Sequence, residues 1–170
     1  MNGVITGRAF VYGANIDTDQ IYPGGYLDLT DPELVAQHAM ERVDPDFVKE
    51  VKSGDMIVAG ANFGCGSSRE HAAVTLKASG IAAVLAESFA RIFYRNAINL
   101  GLTLLVCPGI ANLVKRGDLL SVDMAAGTVI NLTSGATATA QPLSAYVMAI
   151  LENGGVKPMI RKQRGLLVEG

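Results

Sequence analysis

The run Gly60-Ala61-Asn62-Phe63-Gly64-Cys65-Gly66-Ser67-Ser68-Arg69-Glu70-His71 constrains this chain more than any other stretch, because it reads as a glycine-rich loop leading from a buried strand into a helix. Met56 to Ala59 form a short apolar run suited to an interior strand, and Ala72, Ala73, Leu76 and Lys77 keep helical spacing. Gly60, Gly64 and Gly66 permit positive φ and close backbone approach, while Ser67 with Glu70 three residues on fits a capping box that opens a helix near Arg69. Outward N–H groups at such a helix start, the helix dipole and the planar guanidinium of Arg69 together favour an anion, a carboxylate with phosphate as the competing ligand. No Gly-Lys-Ser/Thr follows the glycines, so this is not a P-loop. Arg69 stands where a dinucleotide fingerprint needs its third glycine, and the Gly-x-Ser-x-Gly elbow of serine hydrolases is absent. On these residues alone Ser67 reads first as a plain helix cap.

At 170 residues the length prior gives one domain spanning 1–170, and 49% hydrophobic with 18% charged residues describes a compact globular chain. The formal net charge of -2 gives no electrostatic case for nucleic acid. No apolar run approaches the roughly 18 residues of a membrane span, and the N-terminus lacks the pattern of a signal peptide, so a cytoplasmic location is expected. Cys65 and Cys107 with two histidines assemble neither an iron-sulfur nor a zinc site in any familiar spacing, and no metal is assigned to this chain. Cys65 reads as a small packed thiol; a thiol enzyme pairing Cys65 with His71 is a separate reading.

Residues 4–12 read as an opening strand closed by Gly13, and 13–25, with Asn15, Asp17, Asp19 and Pro23-Gly24-Gly25, as an irregular polar loop. Asp17 and Asp19 either brace turns or serve a site. Thr30 or Asp31 caps a helix with Pro32 at its first position and Leu34, Val35 and Met40 inward; His38 within it reads as an ordinary boundary histidine. Beyond Gly80 come a strand at 81–85, a helix capped by Ser88 and ended by Gly101, and a strand at 102–106. Arg91 and Arg95 share one face of that helix, as a solvated pair or as an anion or partner contact. Short runs at 119–122, 128–132 and 136–140 suggest antiparallel hairpins, followed by a helix from Ser144 to Asn153 and a basic tail carrying Lys157, Arg161, Lys162 and Arg164. The whole is an α/β domain with a β-rich C-terminal part.

Three separated stretches, Asp17-Thr18-Asp19-Gln20-Ile21-Tyr22-Pro23, Gly64 to Ala72 and Glu87 to Asn96, occur in the order and spacing of the aconitase superfamily's swivelling β/β/α domain. Nearly the whole chain resembles the small subunits of 3-isopropylmalate dehydratase and homoaconitase. The resemblance implies a hydro-lyase that moves water between adjacent carbons of a hydroxy di- or tricarboxylate, using a [4Fe-4S] cluster bound by a large-subunit partner. It implies that Ser67 acts as the base, that Ser68 and Arg69 bind a substrate carboxylate, and that Asp17, Asp19, Arg91 and Arg95 are possible support. Tyr26-Leu27-Asp28-Leu29 resembles the family's substrate-selecting loop, where an arginine after Tyr-Leu accompanies homoaconitate and an apolar residue accompanies isopropylmalate. Asp28 departs from both, and points to an alkyl-substituted substrate: 3-isopropylmalate first, 2,3-dimethylmalate second, homoaconitate disfavoured. An anion-binding regulatory module without catalysis is the alternative.

Overall fold

The computed structural model describes residues 3–165. In chain order the elements are β1 (Val4–Val11), α1 (Thr18–Ile21), α2 (Pro32–Ala36), α3 (Phe47–Glu50), β2 (Met56–Ala59), α4 (His71–Ala78) and β3 (Ala83–Ala86). There follow α5 (Arg91–Leu100), β4 (Thr103–Val106), β5 (Leu119–Asp123), β6 (Thr128–Asn131), β7 (Thr137–Thr139), α6 (Ala145–Glu152) and α7 (Val156–Gln163). One seven-stranded sheet runs β4-β3-β2-β1-β5-β6-β7. Its pivot is β1, which pairs parallel with β2 through Ala9 to Val11 and antiparallel with β5 through Val4 to Arg8.

β2 and β3, and β4 beyond Thr103, are apolar because both faces are covered. On one face Ile57, Val84 and Leu104 pack with Leu76 of α4, Phe93 of α5 and Met159 of α7. On the other, Met56, Val58, Leu85 and Leu105 meet Val114, Leu120, Val122 and Val129, so the antiparallel part curls back over the parallel part. β5 and β6 keep the alternation of strands with one buried face. The expected α/β architecture with a β-rich C-terminal part is thus what the chain forms.

Several element boundaries differ from the sequence reading. Residues 13–25 are not wholly irregular: Asp17 accepts the Gln20 N–H at 2.8 Å while the Gln20 side chain accepts the Asp17 N–H, a capping box that starts α1. Asp31, not Thr30, caps α2, which lasts five residues and leaves Leu34 exposed; Met40 is buried beyond its end, at φ 57°. Ser67 and Glu70 form no capping box, since α4 begins only at His71. Ser88 is no cap either: its hydroxyl accepts the Asn62 N–H at 2.8 Å, and α5 begins at Arg91. The basic tail is helix α7, held by Met159 against the core.

Candidate active site

The loops after β1, β2 and β3 all leave the same end of the parallel strands, where open α/β sheets place their ligand sites. There the chain stitches its three signature stretches together through backbone hydrogen bonds. Gly64 N–H donates to the Ile16 carbonyl at 2.8 Å, Thr18 N–H to Cys65 at 2.8 Å, Phe63 N–H to Ser88 at 3.1 Å and Ala90 N–H to Phe63 at 3.0 Å. Such close approach needs glycine. A Cβ on Gly64 would lie 2.2 Å from Phe93 Cγ, and its φ is 86°. Gly66 also takes a positive φ, whereas Gly60 does not and instead lets the chain pass Ala14, whose nitrogen would sit 2.9 Å from a Cβ.

Ser67 and Ser68 emerge from this frame exposed. Arg69 Nε donates to Ser67 Oγ at 2.9 Å, and Thr18 Oγ1, on a residue only 3% exposed, lies 3.2 Å from the same oxygen. These contacts, with Gly66 in the left-handed region, hold Ser67 outside the helix and explain why it is not a cap. Arg69 is not an open fork. Its Nη1 donates to the Tyr22 carbonyl at 2.9 Å and to Asp19 Oδ1 at 3.3 Å, which fixes the guanidinium plane. Asp19 also accepts the Gly24 N–H at 2.9 Å and pairs with Arg42 at 3.3 Å. The Gly24 N–H acts most strongly, and together with Arg69 and Arg42 it holds the carboxyl below the usual range against the opposing effect of burial.

Of the other expected site residues, Asp17 is the cap of α1 and belongs to the frame. Tyr26 closes a 3-10 turn at Gly24–Tyr26 and stacks on His38 with ring centroids 3.6 Å apart; Leu27 and Asp28 are exposed, and Leu29 is half-buried. Arg91 and Arg95 are exposed on α5 and form no ion pair among the described residues; the contact from that helix is instead Asn96 Nδ2 to the Ser68 carbonyl at 3.4 Å. Sequence reasoning gave no site role to Thr18, Tyr22 or Arg42, and gave His71 only the thiol reading. Thr18 and Tyr22 lie inside the quoted stretch at 17–23 and His71 inside that at 64–72, whereas Arg42 lies in none of them. His71 Nε2 bonds the Leu29 carbonyl at 2.9 Å, a tie the thiol reading does not use.

A cavity of about 500 Å³ between β1 and the turn before β2 lies at the opposite end of the strands and shares no residue with the serine loop. The serine loop is an open surface, with Gly66, Ser67 and Ser68 exposed.

A family model, the aconitase C-terminal domain, matches residues 14–108, which carry all three stretches. The chain belongs to the aconitase C-terminal domain family. The 3-isopropylmalate dehydratase small subunit 1 of Methanopyrus kandleri is 54% identical over the full length of both chains. The isopropylmalate/citramalate isomerase small subunit of Methanocaldococcus jannaschii is 53% identical over 96% of this chain and 97% of that one. A crystal structure of 3-isopropylmalate dehydratase from Methanocaldococcus jannaschii superposes with a TM-score of 0.91 at 43% identity, covering 96% of each chain. Family membership therefore extends beyond the matched segment to the curled antiparallel part. No helix among the described residues is long and apolar enough to cross a membrane.

Proposed function

We propose that this chain is the small subunit of a hydro-lyase of the 3-isopropylmalate dehydratase type, acting in leucine biosynthesis in the cytoplasm, with residues 1–170 as one swivelling domain. The observation that carries the reading is the convergence of Arg69 Nε and Thr18 Oγ1 on the exposed Ser67 hydroxyl, 2.9 and 3.2 Å away. The names of the relatives, small subunits of such enzymes, support it.

A C–H proton beside a carboxylate is weakly acidic, so the group that removes it must be a strong base. Ser67 meets that need as an alkoxide where donors offset its charge. The Arg69 Nε–H is one donor. Thr18 becomes a second once Ser67 has lost its own proton, because the Thr18 hydroxyl is then free only to donate. Ser68 and Nη2 of Arg69 take the substrate carboxylate, and the Asp19 and Tyr22 contacts aim that guanidinium in advance.

The family's chemistry also uses a [4Fe-4S] cluster, which supplies a Lewis acid when bound. This chain's residues do not fit one. Its only cysteines are Cys65, on the glycine loop, and Cys107, buried at the end of β4 with its thiol pushed up to about 11 by burial. We assign the cluster to an iron-sulfur large subunit, whose face also covers Ser67 and Ser68 and excludes water. The remaining partner is a small hydroxy dicarboxylate; neither nucleic acid nor membrane is one. Exposed Asp28 disfavours a distal carboxylate, and the isopropylmalate/citramalate name of one relative supports alkyl-substituted malates. We place 3-isopropylmalate first and a methylated malate such as 2,3-dimethylmalate second.

The test is anaerobic reconstitution with the large subunit and a panel of 2-hydroxy acids. Each subunit alone should be inactive and the mixture should turn over 3-isopropylmalate. Turnover by this chain alone, or anion binding without turnover in the mixture, overturns the reading.

A further inference from the structure

Resting on the hydro-lyase reading above, we infer that His71 is a positioning residue for substrate specificity, locking the loop at 24–29 to the serine loop through its hydrogen bond to the Leu29 carbonyl and its stack on Tyr22.

A carbonyl oxygen only accepts, so His71 Nε2 carries the proton and donates across 2.9 Å; this fixes the tautomer and the ring's orientation. The same ring stacks on Tyr22, with centroids 5.3 Å apart and planes 17° from parallel. Tyr22 is fully buried, and its hydroxyl donates to the Tyr26 carbonyl at 2.6 Å. One pair of stacked rings therefore holds two loop carbonyls, those of residues 26 and 29. Between them lie Leu27 and Asp28, the exposed side chains available to meet the part of a substrate beyond its reacting carbons.

The position of His71 gives this tie its meaning. It is the first residue of α4, four after Ser67 and two after Arg69, so the loop is registered against the reacting edge itself. From the other side, Asp19 Oδ1 accepts from Gly24 and from Arg69. The loop is thus pinned at residue 24 by a carboxylate and at 26 and 29 by the ring pair. The Leu29 N–H also donates to the Tyr26 carbonyl at 3.1 Å, so freeing the Leu29 carbonyl leaves the turn that carries Leu27 and Asp28 closed but held to the rest of the fold only through residue 26. Displacements of about 1 Å in such a wall shift rates and selectivities by one to two powers of ten.

The experiment compares His71→Phe, which keeps a stacking ring without a donor, and His71→Gln, which keeps a donor near the place of Nε2, in the reconstituted holoenzyme. For His71→Phe we expect KM for 3-isopropylmalate to rise about tenfold and its preference over homoaconitate to fall about tenfold, with kcat within about threefold of the parent. His71→Gln should restore both to within about threefold. Amide hydrogen exchange on the same proteins should accelerate at residues 27–30 in His71→Phe alone and stay unchanged in β2 and β3, which separates loop release from unfolding. An active parent whose His71→Phe variant keeps its selectivity and loop protection overturns this inference alone. A parent inactive on every hydroxy acid overturns the hydro-lyase reading and the inference with it.

Discussion

The serine loop and the loop at 24–29 stand side by side and are held by opposite means. The first is woven into its neighbours by main-chain hydrogen bonds to residues 16, 18, 88 and 90, and its glycines exist to let those strands of chain approach. The second makes few such bonds; side chains from elsewhere, Asp19, Tyr22, His38 and His71, grip its carbonyls, an N–H and an aromatic ring. A backbone-held loop tolerates almost no change at its glycines but is indifferent to many side chains. A loop held by side chains is adjustable one contact at a time, which suits the part of a site that chooses among related substrates.

The largest effect should come from the serine loop's chemistry. Ser67→Ala deletes the proposed base while leaving Arg69, Asp19 and every main-chain bond of the loop in place. Turnover of the reconstituted enzyme should fall by roughly 10³-fold or more with substrate affinity nearly kept. Residual activity within about tenfold of the parent would assign the proton transfer elsewhere.

Gly64→Ala breaks the frame itself. The new methyl collides with the Phe93 ring and must occupy a left-handed φ of 86°, so the chain alone should lose about 3 kcal/mol of stability. Urea unfolding of the isolated chain measures it; a loss below about 1 kcal/mol would mean that Phe93 yields easily and the weave is looser than its bond lengths imply.

How much of this was legible in the sequence follows the same division. The apolar runs at 56–59, 81–85 and 102–106 and the glycine spacing announce strands, found at 56–59, 83–86 and 103–106, and a close-packed loop, because burial on both faces and positive φ leave marks in residue type. The cap patterns at Ser67 and Ser88 place helix starts too early because each hydroxyl has another partner, Ser67 its neighbour Arg69 and the distant Thr18, Ser88 the distant Asn62, and a local cap pattern cannot reveal a distant partner. Helix α7 reads in sequence only as a basic tail, because the apolar face that docks it through Met159 is narrow among Lys157, Arg161 and Lys162. The grip of His38 and His71 on the second loop left no trace at all: a stack or a bond to a carbonyl places no demand on neighbouring residues.

Asp19 touches both loops, and its titration tests whether they are coupled. Because its folded pKa is depressed below the ordinary 3.8, its contribution is complete above that value and is lost as pH falls through the lower folded value. Asp19→Asn keeps an acceptor for the Gly24 N–H and removes only the charge that faces Arg69 and Arg42. The variant should melt below the parent by a constant amount across neutral pH, worth less than about 1 kcal/mol for a pair this exposed, and the two curves should converge below pH 4, roughly. A difference that persists in acid would place the effect in packing.

Asp28→Arg should have the smallest effect on the fold and sharpens the comparison most directly. Asp28 is exposed and makes no hydrogen bond or ion pair among the described residues, so the substitution should leave stability within about 0.5 kcal/mol of the parent. Its consequence belongs to selectivity. With an aspartate there, a distal carboxylate meets like charge at short range; with an arginine it meets a planar donor suited to it. The ratio of kcat/KM for homoaconitate to that for 3-isopropylmalate should rise about tenfold in the reconstituted enzyme, a little over 1 kcal/mol of differential binding. If the ratio stays fixed while Leu27→Ala moves it, the loop still selects the substrate but through its apolar side chain. If neither substitution moves it, selection lies outside residues 24–29, and holding that loop with side chains serves stability alone.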